Sequence, residues 1–252
     1  MKILQDKVCV ITGGAGSIGL ASAKLFLEHG ARLLLVDLNE SALRIAAQDL
    51  ASDRIDWCLA DVSEPTAVQA YCTRATERFG KIDVLFSNAG NSGVIRPLAD
   101  YPTEVFDSVY AVHVRGAFLA CKYALPLMND GGSVIITSSV AAFRSDAGAY
   151  AYITAKAAQM ALMRCVASEA AARRIRVNTL HPGPVENEFQ LGIERDVGEQ
   201  LKIDMTAALN QQIPLGRHAS AEEIAQSALY LASSQSSFVT GAALRVDGGL
   251  SH

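Results

Sequence analysis

Ser139, Tyr152 and Lys156 are the residues of this chain best suited to moving a proton: the lysine follows the tyrosine by four positions and the serine precedes it by thirteen. On a helix, positions four apart share a face, so the ammonium can lie beside the phenol oxygen. A phenol titrates near pH ~10 and is a poor base at neutral pH. A fixed neighbouring cation favours the phenolate and lowers that pKa, as a proton-transferring tyrosine requires. Seven tyrosines and seven lysines in 252 residues would give roughly 0.2 such pairs by chance, and only Tyr152 has a lysine at that spacing. The competing reading is an amphipathic helix with one snorkelling lysine. The surroundings of the pair therefore decide.

Near the N-terminus, Val8-Cys-Val-Ile-Thr-Gly-Gly-Ala-Gly-Ser-Ile-Gly reads as a strand, a glycine-rich turn and the start of a helix. Gly14, Gly16 and Gly19 satisfy the G-x-G-x-x-G spacing, which lets backbone approach a pyrophosphate while a helix N-terminus offers free N–H groups. Asp37 follows Gly19 by 18 residues, at the end of Leu33-Leu-Leu-Val-Asp. A carboxylate there accepts both ribose hydroxyls of NAD and repels the 2′-phosphate of NADP. The alternative is a loop aspartate capping the helix that starts near Glu40. Arg32 precedes the strand, at the end away from a 2′-phosphate, so NAD is the expected cofactor.

Positioning such groups takes a sheet with helices on it. Apolar runs at Val8–Thr12, Arg32–Asp37, Ile55–Leu59, Val84–Ser87, Ser133–Ser138, Val177–His181 and near Leu244–Val246 read as buried strands. Helical periodicity lies between them, around 18–29, 40–50, 64–79, 104–128, 152–171 and 221–232, with Gly30 and Gly80 where C-terminal caps belong. This alternation predicts an α/β chain: one Rossmann-type, doubly wound, mostly seven-stranded parallel sheet with helices on both faces. No linker divides residues 1–252, so one dinucleotide-binding catalytic domain is expected. The stretch 184–216 breaks the rhythm and reads as a substrate-covering flap, against a plain surface excursion with small helices of its own.

Composition narrows the partners. The net charge of −4 and the lack of a basic stripe argue against nucleic acid. Cys9, Cys58, Cys72, Cys121 and Cys165 include no C-x-x-C pair, and the five histidines have no ligand spacing, so neither a disulfide framework nor a bound metal is expected. No apolar run reaches the ~18 residues of a membrane span. The expectation is a soluble, cytoplasmic enzyme acting on a small molecule, with no membrane partner.

The glycine turn, Asp37, Asn88-Ala89-Gly90, Ser139 and Tyr152-x-x-x-Lys156 occur in an order that resembles the short-chain dehydrogenase/reductase family. The likeness runs from Thr12-Gly13 to Val246-Asp247-Gly248-Gly249. On the way it takes in Asp61-Val62, Asn178-x-x-x-Pro182-Gly183, Pro214-Leu215-Gly216-Arg217 and Glu222-Glu223-Ile224-Ala225. The resemblance implies that Tyr152 is the general acid/base, that Lys156 lowers its pKa and holds the nicotinamide ribose, and that Ser139 hydrogen-bonds the reacting oxygen. It further implies a cofactor lined by Gly13, Gly14, Gly16, Ser17, Ile18 and Gly19, by Asp37 and Leu38, and by Asp61 and Val62 at the adenine. Asn88, Ala89 and Gly90 follow from the fourth strand, and Pro182, Gly183 and Val185 flank the nicotinamide. A homotetramer is also implied.

Two positions depart from the family pattern. Ser17 stands where a glycine is usual; Gly16 can take the permissive backbone role, and the Ser17 hydroxyl can cap the helix or touch a phosphate. His113 stands where asparagine is usual, at a position that helps hold a water linking the lysine to solvent. It joins the catalytic set either as a spacer whose backbone keeps that relay or as a proton carrier in its own right.

Substrate candidates are Asn91, Val94 and Ile95, then Phe143, Arg144 and Tyr150, then Asn187, Phe189, Met205 and Leu209 in the flap. They suit a secondary alcohol: a small alcohol, a polyol or sugar, a cyclic alcohol or a steroid. Arg144 can attract an anion or sit in a salt bridge. Rivals are a 3-oxoacyl-carrier-protein reductase, for which Arg173-Arg174 could supply a basic surface, a non-catalytic dinucleotide module, and a dehalogenase on the same scaffold.

Overall fold

Seven apolar runs become the seven strands of a single parallel sheet, in the order β3-β2-β1-β4-β5-β6-β7. The structure, a computed structural model, describes residues 2–251. The strands are β1 (Val8–Thr12), β2 (Arg32–Asp37), β3 (Ile55–Leu59), β4 (Ile82–Ser87), β5 (Met128–Thr137), β6 (Arg176–Pro182) and β7 (Ala243–Val246). All five β1 residues and all six of β4 are buried, because helices cover both faces of a parallel sheet. Side chains alternate between those faces. Val10, Leu34 and Leu85 join one core cluster with Val68, Tyr71 and Met163, whereas Cys9, Ile11 and Leu33 join the other with Phe26, Ile224 and Leu231.

Local signals place the helices: α1 (Ser17–Glu28), α2 (Glu40–Leu50), α3 (Pro65–Phe79), α4 (Thr103–Tyr110), α5 (Gly116–Ala124), α6 (Tyr150–Ala170), α7 (Glu188–Leu201), α8 (Met205–Gln212) and α9 (Ala221–Ala232). The Asn39 side chain caps α2 by accepting from the Ala42 N–H, and Pro65 opens α3, where a missing N–H costs nothing. Gly80 closes α3 at φ +92°, and Gly30, at φ +88°, follows the end of α1, as expected.

One helix differs from expectation. The stretch read as continuous over 104–128 is α4, then a π-helical turn over Ala111–Arg115, then α5, with β5 already under way at Met128. No proline or internal glycine marks the wide turn, which packs against α6. It carries His113 into the interior, where the residue is 1% exposed. The stretch 184–216 holds α7 and α8 and returns to the body at Pro214. No helix among the described residues is long and apolar enough to cross a membrane.

Candidate active site

β1 pairs with β2 on one side and β4 on the other, and from this pair the chain winds in opposite directions. The carboxyl ends of strands at such a switch point border a crevice. At the end of β1, Gly13 has φ +64°, and a Cβ there would lie 3.0 Å from the Ala89 Cα. A Cβ on Gly19 would lie 2.0 Å from the Gly13 carbonyl oxygen, so the turn closes only with glycine. Thr12 Oγ1 accepts from the N–H groups of Asn88 (2.9 Å) and Ala89 (3.1 Å). Thr137 Oγ1 donates to Asn88 Oδ1 at 3.0 Å, so three strand ends are stitched into one rim.

Asp37 does not cap α2; Asn39 does. Asp37 instead accepts from the Ala15 N–H of the glycine turn and from the Asn39 N–H, each at 3.1 Å. Asp61 accepts from the Ser63 N–H at 2.8 Å and from the Ser63 hydroxyl at 2.7 Å. Ser17 does not cap α1 either: the cap position is Gly16, with no side-chain bond. Its hydroxyl accepts from Asn187 Nδ2 at 2.9 Å, tying the turn to the start of 184–216.

Tyr152 and Lys156 share a face of α6, with the Lys156 Nζ 5.3 Å from the centre of the Tyr152 ring. The lysine is 3% exposed and donates to the Thr137 carbonyl at 2.7 Å. Burial pushes its pKa down to about 7. Burial also pushes the Tyr152 phenol up to about 12, against which its hydrogen bond with Ser139 pulls down. The Ser139 hydroxyl thus acts on the phenol in addition to the lysine that the spacing singles out.

Ser139 is fixed from below. The His181 Nδ1–H donates to the Ser139 carbonyl at 2.8 Å, and Nε2 lies 2.8 Å from the Thr179 hydroxyl. Burial holds His181 down at about 4, so the ring is neutral and keeps this tautomer. His113 packs edge-on against Tyr152, with ring centres 5.6 Å apart. Its Nε2 lies 3.1 Å from the Asn91 nitrogen and 2.8 Å from the Asn91 oxygen, while its own carbonyl accepts from Gln159 Nε2 at 2.9 Å. Burial, then the Lys156 charge, pushes it down to about 3. The ring is therefore neutral at neutral pH, and Gln159 takes one of the two acceptor sites of the backbone carbonyl expected to hold a relay water.

Residues 13–251 match the family model described as "Enoyl-(Acyl carrier protein) reductase". The solved structure of levodione reductase superposes with a TM-score of 0.93 at 33% identity, covering 98% of both chains. The chain is a short-chain dehydrogenase/reductase. The cis-4-hydroxycyclohexanecarboxylate dehydrogenase of Sinomonas cyclohexanicum is 36% identical, covering 97% of this chain and 96% of that one. A 3-ketoacyl-(acyl-carrier-protein) reductase from Brucella melitensis, solved in complex with NADH, aligns at TM-score 0.90 and 29% identity, covering 99% of this chain and 100% of that one.

This dehydrogenase/reductase has one long cleft of about 1680 Å³ running from Asp37 past Tyr152 to Leu209. A nicotinamide dinucleotide, the cofactor of the family, fits that cleft on three counts. The backbone at Gly13 and Gly16 reaches its wall, the α1 N-terminus opens into it, and Asp37, Asp61 and Val62 line one end while Lys156, Pro182 and Gly183 line the middle. Ile18, Leu38, Asn88, Ala89, Gly90 and Val185 line it too. Gly14 and Gly19 do not; they shape the turn from behind, and Gly14 donates to the Val36 carbonyl at 3.0 Å. Sequence reading passed over Thr12, Thr137 and His181, whose only signal was a polar residue at or near the carboxyl end of a buried strand.

Of the substrate candidates, Asn91, Val94, Ile95, Arg144, Asn187, Phe189, Met205 and Leu209 line the cleft. Phe143 and Tyr150 face elsewhere. Phe143 packs on His181, 4.9 Å between ring centres, beneath the Arg245 guanidinium, and Tyr150 packs edge-on against Tyr101. Arg144 pairs with Asp146 at 3.5 Å. Among the described residues no group of histidine, cysteine and acidic side chains is arranged to hold a metal.

Proposed function

We propose that the protein is an NAD-dependent oxidoreductase that interconverts a secondary alcohol and its ketone, with an apolar, cyclic compound as the substrate class. The observation that carries this reading is the meeting of Ser139, Tyr152 and Lys156 on one wall of a cleft whose far end is closed by Asp37. Asp37 presents a carboxylate, and among the described residues the arginines on the cleft wall are Arg96, Arg144 and Arg195, none in the sequence segments that form the Asp37 end. Negative charge without a cationic partner favours a free ribose 2′-hydroxyl over a 2′-phosphate.

In the oxidative direction the Tyr152 oxygen accepts the alcohol proton while the Ser139 hydroxyl holds the reacting oxygen. When bound, the nicotinamide supplies the hydride acceptor. The Lys156 ammonium, fixed by the Thr137 carbonyl, favours the phenolate through its charge. Val94, Ile95, Ile193, Phe189, Met205 and Leu209 give the substrate end an apolar wall, and residues 184–216 act as its cover, excluding water from the reacting centre. Arg144 is engaged by Asp146, which favours a neutral substrate over an anion.

The carrier-protein reductase alternative is favoured by the similarity to the Brucella reductase. Against it, Arg173 is held by Asp130 and by the Leu125 and Met128 carbonyls, which leaves the exposed Arg174 of the basic pair for an acidic partner. A homotetramer suits the half-exposed Phe118 beside Tyr110, Val114 and Leu162 on the α4–α6 face.

An absorbance screen of cyclic and acyclic alcohols with NAD⁺ and NADP⁺, repeated on Tyr152→Phe, tests the reading. Turnover with NAD⁺ is expected, falling at least about a hundredfold in the variant while NADH binding persists. Undiminished oxidation by Tyr152→Phe would overturn the mechanism, and stronger turnover of a β-ketoacyl thioester with NADPH would favour the alternative.

A further inference from the structure

A buried polar cluster outside the catalytic set joins the two helices of the cover to the body of the enzyme. Glu194 of α7 and His218, just before α9, have side chains only 3% and 6% exposed, and His218 Nε2 lies 2.6 Å from Glu194 Oε1. His218 Nδ1 lies 2.7 Å from Asn210 Oδ1 of α8. The second Glu194 oxygen accepts from the Thr206 hydroxyl of α8, and Gln190 Nε2 donates to the first at 2.8 Å. A buried carboxylate is tolerated only when its lone pairs are met this completely, and these donors hold the Glu194 carboxyl below its usual range against the burial that would raise it.

His218 belongs to the body side of this contact. Its neighbour Arg217 makes a bidentate pair with Glu223, at 2.7 and 2.8 Å, and donates to the His218 carbonyl at 2.9 Å. Glu223 is in turn half of the capping box that starts α9 with Ser220. Ala219 pairs with the root of the cover: its N–H donates to the Pro184 carbonyl at 3.0 Å and its carbonyl accepts from the Glu186 N–H at 2.9 Å. The root is therefore laced by backbone, and His218 reaches past it to both helices.

We propose that His218 and Glu194 are positioning residues for substrate binding: their bond, with Asn210 and Thr206, sets how α7 and α8 sit over Tyr152. Gln190, one helical turn before Glu194, and Phe189 and Ile193 on the same helix line the cleft with it. Phe189 is 6.4 Å from the Tyr152 ring, centre to centre. Losing the bond lets α7 swing away from the reacting centre, which weakens the substrate's wall without altering the glycine turn or the Tyr152–Ser139 contact. The proposal rests on the reading of 184–216 as a substrate cover.

The test compares wild type with His218→Phe, Thr206→Val and Phe189→Ala as full chains saturated with NADH. One readout is the rate of tryptic cleavage after Arg195 and Lys202, both exposed, which reports opening of the cover. The other is the reduction of 4-methylcyclohexanone. Expected for His218→Phe are cleavage about tenfold faster and a ketone KM about tenfold higher, with kcat and the NADH Kd within about threefold; Thr206→Val moves both in the same direction by less. A purely structural role would instead lower kcat and NADH affinity together. Unchanged cleavage and unchanged KM in His218→Phe, while Phe189→Ala raises KM, would overturn the latch and leave the cover standing. An unchanged KM in Phe189→Ala would overturn the cover itself. If His218→Phe fails to bind NADH, Thr206→Val decides: unchanged cleavage there overturns the proposal.

Discussion

Replacing His113 with asparagine should change how stability depends on pH far more than it changes turnover. The His113 ring is 1% exposed, and burial, then the Lys156 charge, puts its pKa at about 3, whereas an unfolded histidine titrates near ~6.5. Between those values the unfolded chain binds the proton and the folded chain does not, so stability falls as pH falls through that window and is whole above it. From about pH 7.5 to about pH 4.5 the folded protein should lose roughly 2 to 3 kcal/mol on this account, two pH units below the unfolded value at ~1.4 kcal/mol each. His181, held down at about 4, adds a loss of the same sign to both proteins and cancels in the comparison. Urea unfolding at the two pH values, followed by the fluorescence of the single tryptophan, Trp57, should show wild type losing about 2 to 3 kcal/mol more than His113→Asn. Parallel pH dependences would refute the neutral, buried imidazole. Since that imidazole does not titrate at neutral pH, turnover by the same variant should stay within about tenfold, ~1.4 kcal/mol of barrier, and a larger fall would make the ring a participant in the chemistry.

Two further substitutions probe the cradle. Asp37→Ser removes the carboxylate held by the Ala15 and Asn39 N–H groups, and kcat/KM with NADP⁺ should rise by one to two orders of magnitude, roughly 1.5 to 3 kcal/mol, while that with NAD⁺ falls; an unchanged ratio counts against Asp37 as the selector. Gly19→Ala places a Cβ 2.0 Å from the Gly13 carbonyl oxygen, so the turn must open, at a cost of about 1 to 3 kcal/mol, seen as a lower Tm and at least tenfold weaker NADH binding by fluorescence titration.

The central strands β1 and β4 were legible because each is buried on both faces, which is what a central parallel strand requires. The glycine turn and Tyr152-x-x-x-Lys156 were legible because their chemistry depends on spacing within one element. What the sequence did not disclose depends on contacts between elements. The break at Ala111–Arg115 has no breaker residue. The Lys156 ammonium is oriented by the Thr137 carbonyl of β5 rather than by the phenol four residues away on the same helix. Phe143 and Tyr150 turn from the cleft because His181, Arg245 and Tyr101 offer them rings and charge to pack on. The Ser17 hydroxyl finds Asn187, 170 residues on, which no local reading of a helix start could anticipate.

The π-helical turn has a consequence for how this enzyme can vary. It brings the His113 Cε1 to 2.5 Å from where a Cβ on Gly90 would sit, with both ring nitrogens at 3.3 Å. Residues 90 and 113 thus occupy one volume between them. Any side chain at 90 is incompatible with the imidazole, and becomes possible only once 113 has shrunk. The two positions are epistatic: the effect of a substitution at one is defined only with the identity of the other stated.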